Sequence, residues 1–97
     1  MVSIVIPNYN GERFLKDCME ALRRQTYEDM EVILVDNAST DNSVQLAQKL
    51  YPGIRVVELD DNTGFAYAVN RGIEAAEGEY VLLLNNDTVE DENVTKQ

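Results

Sequence analysis

The chain has 97 residues, 18 of them acidic and 8 basic, and its formal net charge is −10. Duplex nucleic acid and anionic membrane surfaces are therefore disfavoured as partners, because both would be repelled. A single cysteine and the absence of histidine exclude a disulfide framework, a thiolate zinc site and Ser–His or Cys–His catalysis within one chain, so a bound metal would need oxygen ligands, which favours Mg²⁺ or Mn²⁺.

Apolar runs alternate with segments of helical spacing along the whole chain. In chain order, the predicted elements are a strand over 2–6, a helix over 11–25, a strand over 31–35, a helix over 41–50, a strand over 54–59, a helix over 64–76 and a strand over 80–84. Pro7 is expected to end the first strand, and Asp41 or Thr40 to cap the second helix. The predicted core side chains of the first helix include Phe14, Cys18 and Met19.

This β-α-β-α-β-α-β order with short connections predicts one domain over 1–97. The expected fold is of the α/β class, a Rossmann-like open parallel sheet with helices on both faces. Ligands of such sheets bind at the carboxyl ends of the strands, where the strand order reverses. We predict the order 3-2-1-4, which places the reversal between the first and fourth strands.

A polar cluster follows the fourth predicted strand directly. Asn85, Asn86 and Asp87 come after the apolar run YVLLL, so their side chains are expected at the ligand-binding edge of the sheet. The carboxylate of Asp87 is a candidate ligand for a hard divalent metal. The alternative is a plain turn, since Asn and Asp both favour turns.

Polar residues also follow the first two strands. Asp36 follows the second strand and can accept a hydrogen bond from a base N–H or a ribose hydroxyl; the alternative is a capping role. After the first strand, Tyr9 can stack on a nucleobase while Asn8 and Asn10 read its edge. A strand-to-helix turn with a capping asparagine explains the same residues equally well.

The start of the third helix is a candidate anion site. Gly64 permits close backbone approach there, and the N–H groups at a helix start favour an anion. Asn62 precedes this glycine, and Asn70 lies two turns further along the helix. The alternative for Asn70 is a polar residue on a solvated face.

Four stretches, VSIVIPNYNG, EVILVDNASTDNS, NTGFAYAVNRGI and EGEYVLLLNND, together resemble family 2 glycosyltransferases, which have the GT-A fold. They occur in the family's order and cover nearly the whole chain. The resemblance implies that the nucleotide is held by Pro7, Asn8, Tyr9 and Asp36. It further implies that the ribose, the diphosphate and a divalent metal are held by the segment at the family's D-x-D motif, here Asn85-Asn86-Asp87. Only the last acidic position is kept, so Asp87 is the expected metal ligand. The third and fourth stretches are most similar to the rhamnosyltransferase-like branch.

The resemblance also implies an activity. In such enzymes a sugar passes with inversion from a nucleoside-diphosphate sugar, here expected to be of UDP or dTDP type, to an acceptor hydroxyl in cell-wall or polysaccharide biosynthesis. The metal stabilises the leaving nucleoside diphosphate, and a carboxylate base deprotonates the acceptor. No catalytic residue is assigned within the chain. The base, and the region that binds an acceptor glycan or lipid-linked sugar, are expected beyond Gln97.

The chain is therefore expected to be the donor-binding portion of a longer enzyme, with little or no transferase activity alone. The alternative is a non-catalytic nucleotide-binding or assembly module. The fourth strand or its flanks are expected to lack cover and to promote homo-oligomers. No apolar run approaches the roughly 20 residues of a membrane span, and no signal peptide is evident. A cytoplasmic location follows as an expectation, at the cytoplasmic membrane face in a full-length protein.

Overall fold

The computed structural model describes residues 1–24, 29–61 and 64–84. In these ranges four strands alternate with three helices: β1 (Val2–Asn8), α1 (Glu12–Arg23), β2 (Met30–Asp36), α2 (Ser43–Leu50), β3 (Arg55–Glu58), α3 (Phe65–Ala75) and β4 (Tyr80–Leu83). All strand pairs are parallel, and the order is β3-β2-β1-β4. The predicted α/β class and strand order are thus confirmed. No helix within the described ranges is long and apolar enough to cross a membrane.

Helices cover the two central strands on both faces. Successive side chains of a strand point to opposite faces, so the nearly unbroken apolar runs of β1 and β2 feed two cores. The core under α1 and α2 consists of Ile4, Ile6, Leu15, Cys18, Met19, Leu22, Val32, Leu34 and Ala47. The core under α3 consists of Val5, Ile33, Val35 and Ala68.

Pro7 does not end the first strand, contrary to the prediction. The ladder between β1 and β2 continues through it to the pair Asn8 and Asp36. The carbonyl of Val5 accepts the N–H of Leu84, which follows β4, at 2.9 Å. Because alternate residues of a strand bond to the same neighbour, Pro7 faces β4 as Val5 does. The proline therefore lacks only an N–H directed at β4, and its pairing with β2 is unaffected.

Three helix predictions need correction. Phe14 was predicted to be in the core but is only half-buried, and the guanidinium of Arg13 lies over its ring, 5.0 Å from the ring centroid. The helix predicted to reach Gln25 ends two residues earlier, and Gln25 itself lies outside the described ranges. The second helix begins at Ser43, and the carboxylate of Asp41 accepts the N–H of Ser43 at 3.0 Å. The N-cap residue is therefore Asn42 rather than the predicted Asp41 or Thr40, and Asp41 accepts the first helical N–H from one position further out.

Within the described ranges, the edge strand β4 is largely exposed on both faces. Exposed fractions along it are 68% for Tyr80, 40% for Val81, 42% for Leu82 and 49% for Leu83. Helix α3 lies over β1 and β2 and makes far fewer contacts with β4. The expected lack of cover on the fourth strand is therefore confirmed.

Candidate functional site

The carboxyl ends of β1, β2 and β4 lie along one side of the sheet, called here the carboxyl edge. Asn8 and Asp36 are paired in register as the last residues of β1 and β2. On the other side of β1, β4 runs parallel and the chain leaves it at Leu84. The reversal of strand order lies between β1 and β4, as predicted. The predicted site residues Asn62, Asn85, Asn86 and Asp87 lie outside the described ranges.

Asp36 is the centre of a buried hydrogen-bond network at this edge. Its side chain accepts hydrogen bonds from the Asn8 amide nitrogen at 2.9 Å, the Ser39 hydroxyl at 2.6 Å and the Ser39 N–H at 3.0 Å. Asp36 is 4% exposed and Asn8 is 2% exposed. A carboxylate can accept about four hydrogen bonds, so capacity for one more remains. Asp36 thus organises its loop and keeps a single acceptor position.

Ser39 is a site residue that the sequence analysis missed. Its hydroxyl donates to Asp36 and accepts from two groups on the β1 side, the N–H of Asn10 at 2.9 Å and the amide of Asn8 at 3.2 Å. An Asp followed three residues later by Ser is typical of a side-chain-closed turn, and that was the available signal. The pattern does not show that the same hydroxyl reaches the β1 loop, because that contact joins residues about thirty positions apart.

The loops after β1 and β2 meet again at Asn10. Its backbone lies in the left-handed region with φ of 49°, which asparagine tolerates better than most residues. Its side-chain oxygen accepts the N–H of Thr40 at 2.7 Å and the hydroxyl of Thr40 at 3.4 Å. Ala38 also adopts a left-handed conformation, with φ of 64°. Such conformations persist only where the surroundings impose them, so the two loops hold each other in shape.

The starts of α1 and α2 are joined by a reciprocal pair of acidic caps. The carboxylate of Asp41 accepts the N–H of Glu12 at 3.1 Å, and the carboxylate of Glu12 accepts the N–H of Asn42 at 3.1 Å. Burial by itself raises the pKa of Asp41, but hydrogen bonds from Ser43 and from backbone N–H groups outweigh it and lower that pKa below its ordinary value. Asp41 therefore stays ionised at neutral pH and holds both helix starts.

The remaining predicted residues flank this network. Pro7 is buried in β1, whereas Tyr9 is 51% exposed and presents its ring to solvent between two anchored asparagines. Gly64 precedes α3 with φ of 92°, and its carbonyl accepts the Asn37 side chain at 3.3 Å. That contact places the start of α3 beside the β2 loop. Asn70 is exposed on α3, roughly 9 Å further along the helix axis, outside the hydrogen bonds that join the loops.

The described residues do not by themselves provide a metal site. No group of three or more His, Cys, Asp or Glu side chains that could hold a metal ion occurs in the ranges that the structure covers. Burial raises the pKa of the Cys18 thiol to about 11, so this side chain stays protonated and packs as a core residue. The predicted ligand, Asp87, follows β4 three residues after Leu84 and lies outside those ranges.

Comparison with known proteins identifies the family. Residues 3–96 match the model of the sequence family described as "Glycosyl transferase family 2". Over 97 residues the chain is 37% identical to the glycosyltransferase GlyG of Streptococcus pneumoniae, covering 97% of this chain and 32% of that protein. It thus spans about a third of the length of this curated relative.

Solved structures agree with the overall fold. The chain is similar to S. aureus TarS 1–349 in complex with UDP-GlcNAc, with a TM-score of 0.83 and 29% identity over 96% of this chain and 30% of that one. It is similar to the mannosyltransferase PcManGT from Pyrobaculum calidifontis in complex with GDP-Man and Mn²⁺, with a TM-score of 0.79 and 29% identity over 89% of this chain and 27% of that one. Neither of these similarities tests the predicted rhamnosyltransferase-like branch, which stays a prediction. The chain belongs to glycosyl transferase family 2.

Proposed function

We propose that the carboxyl edge of the sheet binds the nucleoside diphosphate of a nucleotide sugar. In a longer protein it would serve the inverting transfer of that sugar to an acceptor hydroxyl. The observation that carries the proposal is that Asn8, Tyr9 and Asp36 lie at the carboxyl ends of β1 and β2, beside the reversal of strand order between β1 and β4, in a member of this family. The similarity to TarS, whose structure contains UDP-GlcNAc, supports a UDP-type donor; a dTDP-type donor is the other candidate.

Each described residue has a role that its surroundings allow. The exposed Tyr9 ring stacks on the base, while the one acceptor position left on Asp36 takes a base N–H or a ribose hydroxyl. Asn8 holds that carboxylate in place. The backbone at Gly64 and the following helix start favour the diphosphate, with Asn70 as a further polar contact. Asn62, which lies outside the described ranges, is proposed as another.

A divalent metal is part of the proposal, with Asp87 as its ligand and Asn85 and Asn86 beside it. The chain leaves β4 at the same edge as Asn8 and Asp36, which fits a ligand shortly after that strand. The Mn²⁺ in PcManGT supports Mn²⁺ or Mg²⁺. The ion would neutralise diphosphate charge that a protein of net charge −10 cannot, and would stabilise the leaving nucleoside diphosphate.

No catalytic base is proposed within this chain. The acceptor, a glycan or lipid-linked sugar, and the base that deprotonates it are proposed for the additional length that relatives have. The alternative is a module that binds nucleotide without chemistry. Turnover of UDP-GlcNAc or another nucleotide sugar by a protein of the relatives' length, with none by the 97-residue chain, would favour the transferase reading.

Nucleotide binding provides the direct test. We expect the 97-residue chain to bind UDP or dTDP in calorimetry when Mn²⁺ is present, and to bind much more weakly with EDTA or with Asp87→Asn. GDP is tested beside them because the similar PcManGT structure contains GDP-Man. Tyr9→Ala should weaken binding by about five- to 150-fold, because stacking on one base contributes about 1–3 kcal/mol. Tyr9→Phe should bind as the original chain does, since the ring is kept.

Tyr80→Ala is the matched control. Tyr80 is also exposed, but it begins β4 at the opposite edge of the sheet, so its removal should leave nucleotide affinity unchanged. Failure of all three nucleotides to bind, with or without Mn²⁺, would overturn the proposed function. Equal losses in Tyr9→Ala and Tyr80→Ala would show that the base lies elsewhere.

A further inference from the structure

The two loops that carry the described nucleotide-binding residues are tied directly to each other. Tyr9 lies on the loop after β1, and Asp36 lies at the start of the loop after β2. A separate group of side chains, Asn10, Ser39 and Thr40, joins these loops and is called here the loop latch. Ser39 and Thr40 were given no role in binding above, and the predicted base-reading role of Asn10 does not account for these contacts.

The Ser39 hydroxyl is fully used by this connection. A hydroxyl has one donor and two acceptor positions. Here the donor goes to Asp36 at 2.6 Å, and the acceptors take the Asn10 N–H at 2.9 Å and the Asn8 amide at 3.2 Å. Ser39 therefore has no hydroxyl capacity left for a ligand, and any effect on binding must pass through the residues it holds.

Both sides of Tyr9 are fixed by the same connection. Asn8, before it, is 2% exposed and donates to Asp36 at 2.9 Å. Asn10, after it, has φ of 49° and accepts the N–H of Thr40 at 2.7 Å. The exposed Tyr9 ring is thus attached to a backbone that is anchored at each neighbouring residue. Its position relative to Asp36 is set before any ligand arrives.

We propose that Ser39 and Asn10 are positioning residues that pre-order the nucleotide site, by latching the loop of Tyr9 to the loop of Asp36. Binding is weakened when loops must be ordered by the ligand, and it is strengthened when they are ordered beforehand. The inference rests on the proposed nucleotide site. It adds that the affinity of this site depends on two side chains that need not touch the nucleotide.

The first test measures the loop without ligand. The chain has no tryptophan, so Tyr9→Trp introduces a single tryptophan at the site, which can be excited selectively over the tyrosines. In that background, Ser39→Ala and Asn10→Ala should each increase quenching by acrylamide and lower the fluorescence anisotropy, because the loop is released. Acrylamide is neutral, so the net charge of −10 does not bias its access. Ser39→Thr restores the hydroxyl and should restore both signals.

The second test measures affinity for UDP with Mn²⁺ by calorimetry in the Tyr9 chain. Ser39→Ala should weaken binding about tenfold, equal to ~1.4 kcal/mol, while Ser39→Thr should remain close to the original. Ser3→Ala is the matched control, because the Ser3 hydroxyl also joins two segments, donating to Glu31 at 2.5 Å and accepting the Gly78 N–H at 2.8 Å. It lies at the opposite edge of the sheet, so its loss should lower stability without lowering affinity.

The outcomes separate the two claims. Circular dichroism establishes that each variant is folded at the temperature of measurement, and Asn10→Ala serves in place of Ser39→Ala if the latter does not fold. If UDP, dTDP and GDP all fail to bind the original chain, the proposed function fails and this inference fails with it. If a nucleotide binds, but Ser39→Ala and Asn10→Ala match Ser3→Ala in affinity and in quenching, the latch is overturned and the proposed function stands.

Discussion

At the scale of single residues, the two carboxylates near the ends of β2 have opposite surroundings. Glu31 accepts the Ser3 hydroxyl at 2.5 Å, the Glu77 N–H at 2.6 Å and the Arg55 guanidinium at 2.8 Å. Asp36, at the other end, is held by neutral donors only. The amino end of the sheet, where Glu31 is paired with Arg55, thus contributes to stability. The carboxyl end, where Asp36 has no charge partner among the described residues, is available for a ligand.

Glu31 gives a pH-dependent prediction. Burial raises its pKa, but hydrogen bonds from Ser3 and Glu77 and the charge of Arg55 outweigh it and lower the pKa from 4.5 to about 2. A depressed folded-state pKa contributes stability above the unfolded value, and this contribution is lost as the pH falls through the folded value. Glu31→Gln should lower the free energy of unfolding at pH 7 by about 2 kcal/mol, since hydrogen bonds to a charged group are lost.

The loss should shrink as the pH falls from 4.5 to about 2, where the original chain loses the same contribution. Urea unfolding at several pH values measures the difference between the two proteins. Glu79→Gln is the control, because that side chain is 82% exposed and its closest ion pair, to the Met1 amino group, is 3.9 Å long. A stability difference for Glu31→Gln that stays constant down to pH 2 would contradict the assignment.

At the scale of elements, one glycine sets how closely α3 approaches the sheet. A Cβ added at Gly72 would lie 2.4 Å from a methyl carbon of Val5 and 2.8 Å from one of Val35. Both contacts are with stiff, branched side chains in the buried core under α3. We expect Gly72→Ala to destabilise the fold by about 1–2 kcal/mol, because the overpacking exceeds the gain in helix propensity.

Denaturant midpoints test this prediction, and adding Val5→Ala should recover part of the loss by making room for the methyl group. Asn70→Ala provides the control on the same helix, because Asn70 is exposed and alanine there improves helix propensity without a clash. A Gly72→Ala variant as stable as Asn70→Ala would show that α3 can move away from the sheet at little cost.

The elements themselves could be predicted because their signals are local. Strand runs and helical spacing fixed the type and order of all of them, and the polar strand ends located the edge that matters. Pro7 was misread because its effect depends on which neighbour it faces, and no local rule states that. Ser39 was missed, and the contact of Asn10 with the second loop was not predicted, for a related reason: their partners lie on another loop, and only the folded sheet brings the two loops together.

At the scale of the whole molecule, self-association is favoured by the exposed apolar edge strand β4 and opposed by the large net charge. Tyr80, Val81, Leu82 and Leu83 are each at least 40% exposed and lie on a strand whose outer edge is unpaired in the described sheet. Such an edge favours pairing between copies, whereas a net charge of −10 opposes it. Salt screens the charge but leaves the apolar contact intact, so the balance should depend on ionic strength.

We therefore expect the chain to self-associate more strongly as salt is raised from about 0.02 to 0.5 M, since the screening length falls severalfold over that range. Sedimentation equilibrium measures the change in mass. Leu82→Lys places a charge on the edge strand and should keep the chain monomeric, because inward-pointing and edge lysines block strand pairing. Phe65→Lys removes a side chain that is 53% exposed but lies outside β4, and it should associate like the original chain. A chain that stays monomeric at every salt concentration would show that the exposed strand β4 does not pair. Equal effects of Leu82→Lys and Phe65→Lys would show that the net charge, rather than this strand, controls association.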